Sequence, residues 1–132
     1  MQLGSITARA ARYWPHQTAL IDSRQRTTFL QLEQRANQLA HALQAAKIAA
    51  GDRVAIQAWN RIELVETEVA CYKGGHIKVP LNARLSTDET VHMLQDSGAK
   101  VLVADAEHAQ AVLARQAEVP ALERVVNIDT DY

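Results

Sequence analysis

The sequence predicts an α/β fold. The expected form is a partial three-layer arrangement, with a mostly parallel sheet of about four strands flanked by helices, plus an N-terminal helix and hairpin. Three observations carry this. Four short apolar runs stand out: Val54-Ala55-Ile56, Ile77-Lys78-Val79, Val101-Leu102-Val103-Ala104 and Val125-Val126-Asn127-Ile128. Each is separated from the next by a capped, helix-patterned stretch long enough for a right-handed βαβ crossover. Aromatic content is only 5% while alanine and leucine abound, which favours helices packed on a flat layer over an all-β sandwich.

The elements follow in order. Residues 3–12 pattern as a short helix ended before Pro15, because proline pushes the preceding residue out of the α region. Thr18-Ala19-Leu20-Ile21-Asp22 is an expected strand, Ser23-Arg24-Gln25-Arg26 a polar turn, and Thr27-Thr28-Phe29 the return. Thr28 caps the next helix and Gln31 completes a capping box with it. Leu32, Ala36, Leu39, Ala40 and Leu43 share one face of that helix, opposite most of Gln34, Arg35, Gln38, His41 and Gln44. Gly51 and Asp52 mark a turn. Asn60 is expected to cap a helix reaching about Lys73, with Glu63 at the capping-box position and Gly74-Gly75 ending it. Pro80 stops the second run. Ser86 and Glu89 form another capping box, Val91 and Leu94 face inward, and Gly98 lies just past the end. Asp105 is expected to cap a helix through about Gln116, with Ala109, Val112 and Leu113 inward.

Composition bounds the function. At 132 residues and 14.6 kDa, one domain spanning 1–132 is expected. Fourteen Lys and Arg against fifteen Asp and Glu give a net charge of -1, which argues against a nucleic-acid partner. The single cysteine, Cys71, excludes an internal disulfide framework and a cysteine-rich zinc site. The first twelve residues hold no continuous apolar segment, and no stretch approaches the roughly 18 apolar residues of a membrane span. The expected location is therefore cytoplasmic.

Four segments, in this order, then become recognisable. They are Thr28-Phe29-Leu30-Gln31-Leu32 running into Arg35-Ala36-Asn37-Gln38-Leu39-Ala40; Gly51-Asp52-Arg53-Val54-Ala55-Ile56; Tyr72-Lys73-Gly74-Gly75 followed by Val79-Pro80-Leu81-Asn82; and Asp96-Ser97-Gly98-Ala99-Lys100-Val101-Leu102-Val103. Together they resemble the N-terminal part of the AMP-binding superfamily, the adenylate-forming acyl-CoA synthetases and acid-CoA ligases. The resemblance runs from Thr27 to about His108. Pro80-Leu81-Asn82-Ala83-Arg84-Leu85 looks more like stand-alone ligases than peptide-synthetase modules. The sequence departs from the family at Gly74, His76 and Lys78, where members carry small, apolar or aromatic residues. Glu66, Thr67 and Glu68 make the preceding helix more polar than usual, which puts a normal inter-subdomain contact in doubt.

The resemblance implies a parent reaction: ATP-dependent adenylation of a carboxylic acid, as in fatty acid metabolism, then thioesterification with CoA. ATP, Mg and CoA are implied for that parent. Family members cradle the ATP phosphates in a loop of Ser, Thr and Gly ending in a lysine and a glycine, since small residues let backbone N–H groups approach. The five glycines here, at positions 4, 51, 74, 75 and 98, lie outside any such loop. No catalytic, cofactor-binding or metal residue is therefore assigned. The chain alone is expected to be an inactive scaffold fragment whose partner is the rest of the parent enzyme. The alternative is a non-catalytic binding or assembly module. A truncated parallel sheet leaves a strand edge and apolar helix faces, which favour self-association. A response-regulator-like domain fits less well, because Ala58-Trp59-Asn60 supplies no acidic cluster after the strand.

Other constellations have structural readings. Gly74-Gly75 precedes a strand, whereas a dinucleotide fingerprint follows one. Asp88, His92 and Asp96 share a helix face and read as solvated pairing positions, not as metal ligands. Glu63 and Glu66 read as an exposed helix face, and paired carboxylates for acid–base work need opposition across a cleft. Cys71 reads as a buried, inert thiol and His76 as a satisfied polar group near the sheet edge. Ser86 and Thr28 read as caps, and Arg24 and Arg26 as solvated turn residues. Of Trp14 and Trp59, at least one is expected in the core.

Overall fold

A computed structural model describes residues 2–132. These fall into two compact units: one runs up to Ala50 and includes Asn60–His76, the other comprises Gly51–Trp59 and Ile77–Tyr132.

The first unit holds a short 3-10 turn (Leu3–Ser5), α1 (Ile6–Tyr13), the antiparallel hairpin β1 (Thr18–Ile21) and β2 (Arg26–Thr28), α2 (Phe29–Ala45) and α3 (Ile62–Gly74). The hairpin turn contains no glycine; the Asp22 side chain closes it instead. Its Oδ1 accepts from the backbone N–H groups of Arg24 (2.8 Å) and Gln25 (2.9 Å), an Asx turn. The Thr28–Gln31 capping box at the start of α2 forms as expected. Leu32, Ala36 and Leu43 are buried, and the positions between them, Leu39 and Ala40, are half-buried.

The start of α3 differs from expectation. Asn60 does not cap it; the N-cap is Arg61, with no side-chain capping bond. Asp22 Oδ2 accepts from the Ile62 N–H at 3.3 Å, so one carboxylate both closes the hairpin and serves the helix start. Glu63 is gripped instead by the two-pronged Arg61 guanidinium, at 2.8 and 3.0 Å. Neither Glu63 nor Glu66 belongs to an exposed face. Both are buried, with Glu66 fully enclosed at 0% exposure and held by Arg35 Nε at 2.5 Å. Glu68 accepts from the Tyr72 hydroxyl. A third carboxylate, Glu33 on α2, joins all three helices, accepting from Thr7 Oγ1 on α1 (2.6 Å), Lys73 Nζ on α3 (2.7 Å) and Asn37 Nδ2 (3.2 Å). Burial pushes the Glu33 carboxyl up, but these donors outweigh it and hold it below the usual carboxylate range.

The second unit is a four-stranded, all-parallel sheet: β3 (Arg53–Gln57), β4 (Ile77–Pro80), β5 (Val101–Ala104) and β6 (Arg124–Asn127), in the spatial order β4-β3-β5-β6. Two helices belong to it, α4 (Thr87–Ser97) and α5 (Ala106–Leu113). Ala55, Leu102 and Ala104 pack with Val91 and Leu94 of α4 and Ala109 and Val112 of α5 in one core. The alternate residues Val54, Val101 and Val103 are buried too, in keeping with the continuous apolar runs of a parallel sheet. Pro80 ends the strand as expected, as the last residue of β4. It pairs with Ile56, and it is tolerated because β4 has a neighbour on one side only among the described residues. The Ser86–Glu89 capping box forms, and Gly98 ends α4 in the left-handed region at φ 64°.

The last helix is shorter than expected. It ends at Leu113, and a 3-10 turn at Gln116–Glu118 follows. Leu113 is 49% exposed, not inward; the inner positions are His108, Ala109 and Val112. Val119 and Leu122, after the break, turn back into the same core.

Lys47 carries a strained backbone. It ends α2 in a Schellman motif, donating to the Gln44 carbonyl (2.9 Å) while the Ile48 N–H donates to the Leu43 carbonyl (3.0 Å). This requires φ of 62°, a left-handed conformation that a side chain resists. Lys47→Gly is expected to stabilise the chain by about 0.5–1 kcal/mol and to raise the Tm by a few degrees in thermal melting monitored by circular dichroism. A lower Tm would contradict the strain.

Candidate functional site

Parallel sheets present ligand sites at the carboxyl ends of their strands, where neighbouring connections leave in opposite directions. Here β3 leads to β4 on one side while β5 leads to β6 on the other, so the switch point lies between β3 and β5. Gln57 and Ala104 are paired at its rim. Just beyond them stand Trp59 and Asp105.

Asp105 organises the place. Oδ1 accepts from the His108 backbone N–H at 3.2 Å, the N-cap foreseen from the sequence. The same oxygen lies 2.5 Å from His108 Nδ1, and Oδ2 accepts from the Trp59 N–H at 3.1 Å. His108 Nε2 faces the Ala83 carbonyl at 2.8 Å. Both ring nitrogens thus meet acceptors, and only the doubly protonated imidazolium donates to both. Burial pushes the His108 pKa down; the Asp105 carboxylate and the Ala83 carbonyl reverse this, and the net shift is upward from 6.5. The Trp59 ring lies tilted beside the imidazole, with centroids 6.5 Å apart.

Gln57 works alongside. Fully buried, its Nε2 donates to the Asn82 carbonyl (3.1 Å) and to Thr90 Oγ1 (2.8 Å). Consecutive carbonyls of the segment after β4, Asn82 and Ala83, are therefore held by Gln57 and His108. The switch point is filled by the chain's own polar side chains. With both ring nitrogens facing acceptors, His108 is placed as a clasp, and no hydroxyl or thiol lies against it as a nucleophile among the described contacts.

Local sequence pattern does not mark this cluster. Asp105 was legible as a cap, but His108 sits at a position where helical spacing calls for an apolar residue. The one available signal was that 105, 108, 109 and 112 fall on a single face.

The remaining candidates are structural. No group of three His, Cys, Asp or Glu residues suited to a metal occurs among the described residues, and Asp88 pairs with Arg115 across to the end of α5. Cys71 is buried in α3. Arg24 is more than a solvated turn residue, reaching within 3.6 Å of Glu63. Neither tryptophan is in the core; Trp14 is 52% and Trp59 51% exposed. Each follows the end of an element, Trp14 at the close of α1 and Trp59 two residues past β3, so neither ring is carried on an inward-facing position. The glycines have backbone roles. Gly51, Gly75 and Gly98 adopt positive φ, and Gly4 packs against the Tyr72–Lys73 backbone.

These residues match the model of the AMP-binding enzyme over residues 7–132. The chain belongs to the AMP-binding enzyme family. It is 44% identical over 112 residues to feruloyl-CoA synthases of Amycolatopsis sp and Streptomyces sp, covering 85% of this chain and 23% of each relative. It is 36% identical over 110 residues to the fatty acid–[acyl-carrier-protein] ligase ScoC of Streptomyces coeruleorubidus, covering 83% of this chain and 21% of that protein. Among solved structures, the N-terminal domain of FACL13 from Mycobacterium tuberculosis superposes with a TM-score of 0.91 at 30% identity, covering 98% of this chain and 34% of that one. Coronafacic acid ligase from Pectobacterium brasiliense gives 0.92 at 28% identity, covering 98% and 26%. The chain therefore spans about a quarter of the length of the curated AMP-binding relatives it matches. No described helix is long and apolar enough to cross a membrane.

Two outcomes check the geometry. His76 is buried with Nδ1 3.1 Å from the Ala49 carbonyl, and its ring occupies the space a Cβ at Gly74 would need. Gly74→Ala should cost about 1–3 kcal/mol in denaturant unfolding. In the Gly74→Ala, His76→Ala double variant most of that penalty should vanish, giving a coupling well above additivity error. The His108 clasp makes a pH prediction. Its folded pKa is raised, so its stabilisation is complete below the unfolded value of about 6.5 and is lost as pH rises through the folded pKa. His108→Gln should cost about 1–3 kcal/mol at pH 6 and flatten the alkaline fall. An unchanged pH profile in the variant would sink the imidazolium assignment.

Proposed function

We propose that this chain is the N-terminal scaffold portion of an AMP-forming acid-CoA ligase. In the parent reaction a carboxylate oxygen attacks the α-phosphorus of ATP, releasing pyrophosphate and forming an acyl-adenylate. The CoA sulfur then attacks the acyl carbonyl, giving the thioester and releasing AMP. ATP, Mg and CoA belong to that parent. The observation that carries the reading is the switch point itself. Gln57, Asp105 and His108 fill the crevice where a parallel sheet would take a ligand, and the glycines serve turns and helix ends. What remains is a packed support. The relatives it matches are several times longer.

On this reading the 132-residue chain alone is inactive. Saturating ATP with Mg should leave its Tm unchanged, because a ligand binding the folded state at 100 times its Kd would add about 2.7 kcal/mol. Pyrophosphate release should stay at background across a panel of carboxylic acids with CoA. A reproducible ATP-dependent rise in Tm would overturn the reading.

A second reading, a binding or assembly module, draws on the outer edge of β4, which has no strand beyond it among the described residues and exposes Ile77. Sedimentation across a concentration series separates the two: a concentration-dependent dimer supports the module, and a persistent monomer supports the scaffold.

A further inference from the structure

Gln57 holds an unusual position for an amide. It is fully buried at the end of β3, and its orientation is fixed, since turning the amide over would set Oε1 against the Asn82 carbonyl oxygen. Oε1 therefore points the other way. It is a buried acceptor with no partner among the described residues. Leaving such a group unmatched is costly, and native structures rarely do so.

Beside it lies a cavity of about 20 Å³, lined by Gln57, Leu85, Thr87, Thr90, His108 and Val112. One water needs roughly 10–15 Å³ of such space and two to four polar partners. The partners are at hand. Thr90 Oγ1 accepts from Gln57 Nε2, which leaves its own proton to give. Thr87 also lines the wall. His108 does not compete, because both ring nitrogens are already engaged. The volume excludes anything larger than a single small molecule.

We infer that this cavity is a binding site for one buried water, which accepts from the Thr90 hydroxyl and donates to Gln57 Oε1. The water completes the polar network joining the end of β3 to α4 beneath the Asn82–Leu85 segment. It is a structural ligand of the switch point.

The test is nuclear Overhauser transfer from water in the labelled 132-residue chain. Val112 lines the cavity, is 1% exposed and has methyls without exchangeable protons, so direct transfer from bulk solvent is weak there. A cross-peak from water to Val112 with the sign of a long-lived contact is expected. In Gln57→Met, which keeps the side chain's length and removes the acceptor, the peak should fall at least several-fold. Absence of the peak in the natural chain, or its survival at full strength in Gln57→Met, overturns the inference. If that variant does not fold, a high-resolution crystal structure of the natural chain decides. Density within hydrogen-bond distance of both Gln57 Oε1 and Thr90 Oγ1 supports the site, and a dry cavity overturns it.

Discussion

A helix that starts at the end of a strand or turn exposes backbone N–H groups with no intrahelical partner, and the fold depends on carboxylates that meet them. Asp105 and Asp22 do this in the two units. Asp105 caps α5, grips the His108 ring and accepts from Trp59. Asp22 closes the hairpin and accepts from Ile62 at the start of α3. Each is a single side chain with four lone-pair sites doing the work of several separate caps. The backbone N–H of Arg24, with those of Gln25 and Ile62, outweighs desolvation and holds Asp22 below the ordinary carboxylate range.

The same economy governs the polar side of α3. Glu63 and Glu66 would be expensive to bury alone, yet each has a guanidinium against it, and Glu33 gathers donors from three helices. A helix that looks too polar for its place is thereby fixed by charge-assisted bonds of defined direction. The departures from the family pattern at Glu66 and Thr67 are absorbed in this way: Thr67 donates to the Glu63 carbonyl, and Glu66 meets Arg35. His76 is absorbed with its neighbour, since only glycine at position 74 leaves room for the ring.

How far the sequence could be read follows from these cases. The strands, the α/β class and the capping boxes at Thr28 and Ser86 rest on residues within one or two turns of one another, and local pattern reveals them. The carboxylate that meets the first N–H of α3 is Asp22, forty residues upstream, and no window contains both ends of that bond. Periodicity places polar residues outward, so it misplaces Glu63, Glu66 and His108, whose burial depends on partners from other elements. The tryptophans fail for the complementary reason. Large rings are expected inside on average, but Trp14 and Trp59 follow element ends where the backbone carries them outward. The Gln57–Asp105–His108 cluster was invisible until the parallel register set Gln57 beside Ala104.

That register also constrains what the chain can do. A crevice at the carboxyl edge of a parallel sheet takes anionic ligands readily where small residues and backbone N–H groups line it. At this edge the Gln57 amide holds the Asn82 carbonyl and the Thr90 hydroxyl, while the Asp105 carboxylate meets His108, whose other ring nitrogen faces the Ala83 carbonyl. Opening the crevice would leave Asp105 and His108 without partners while buried, at a cost of several hydrogen bonds to charged groups. The network thus favours a rigid floor over a binding pocket.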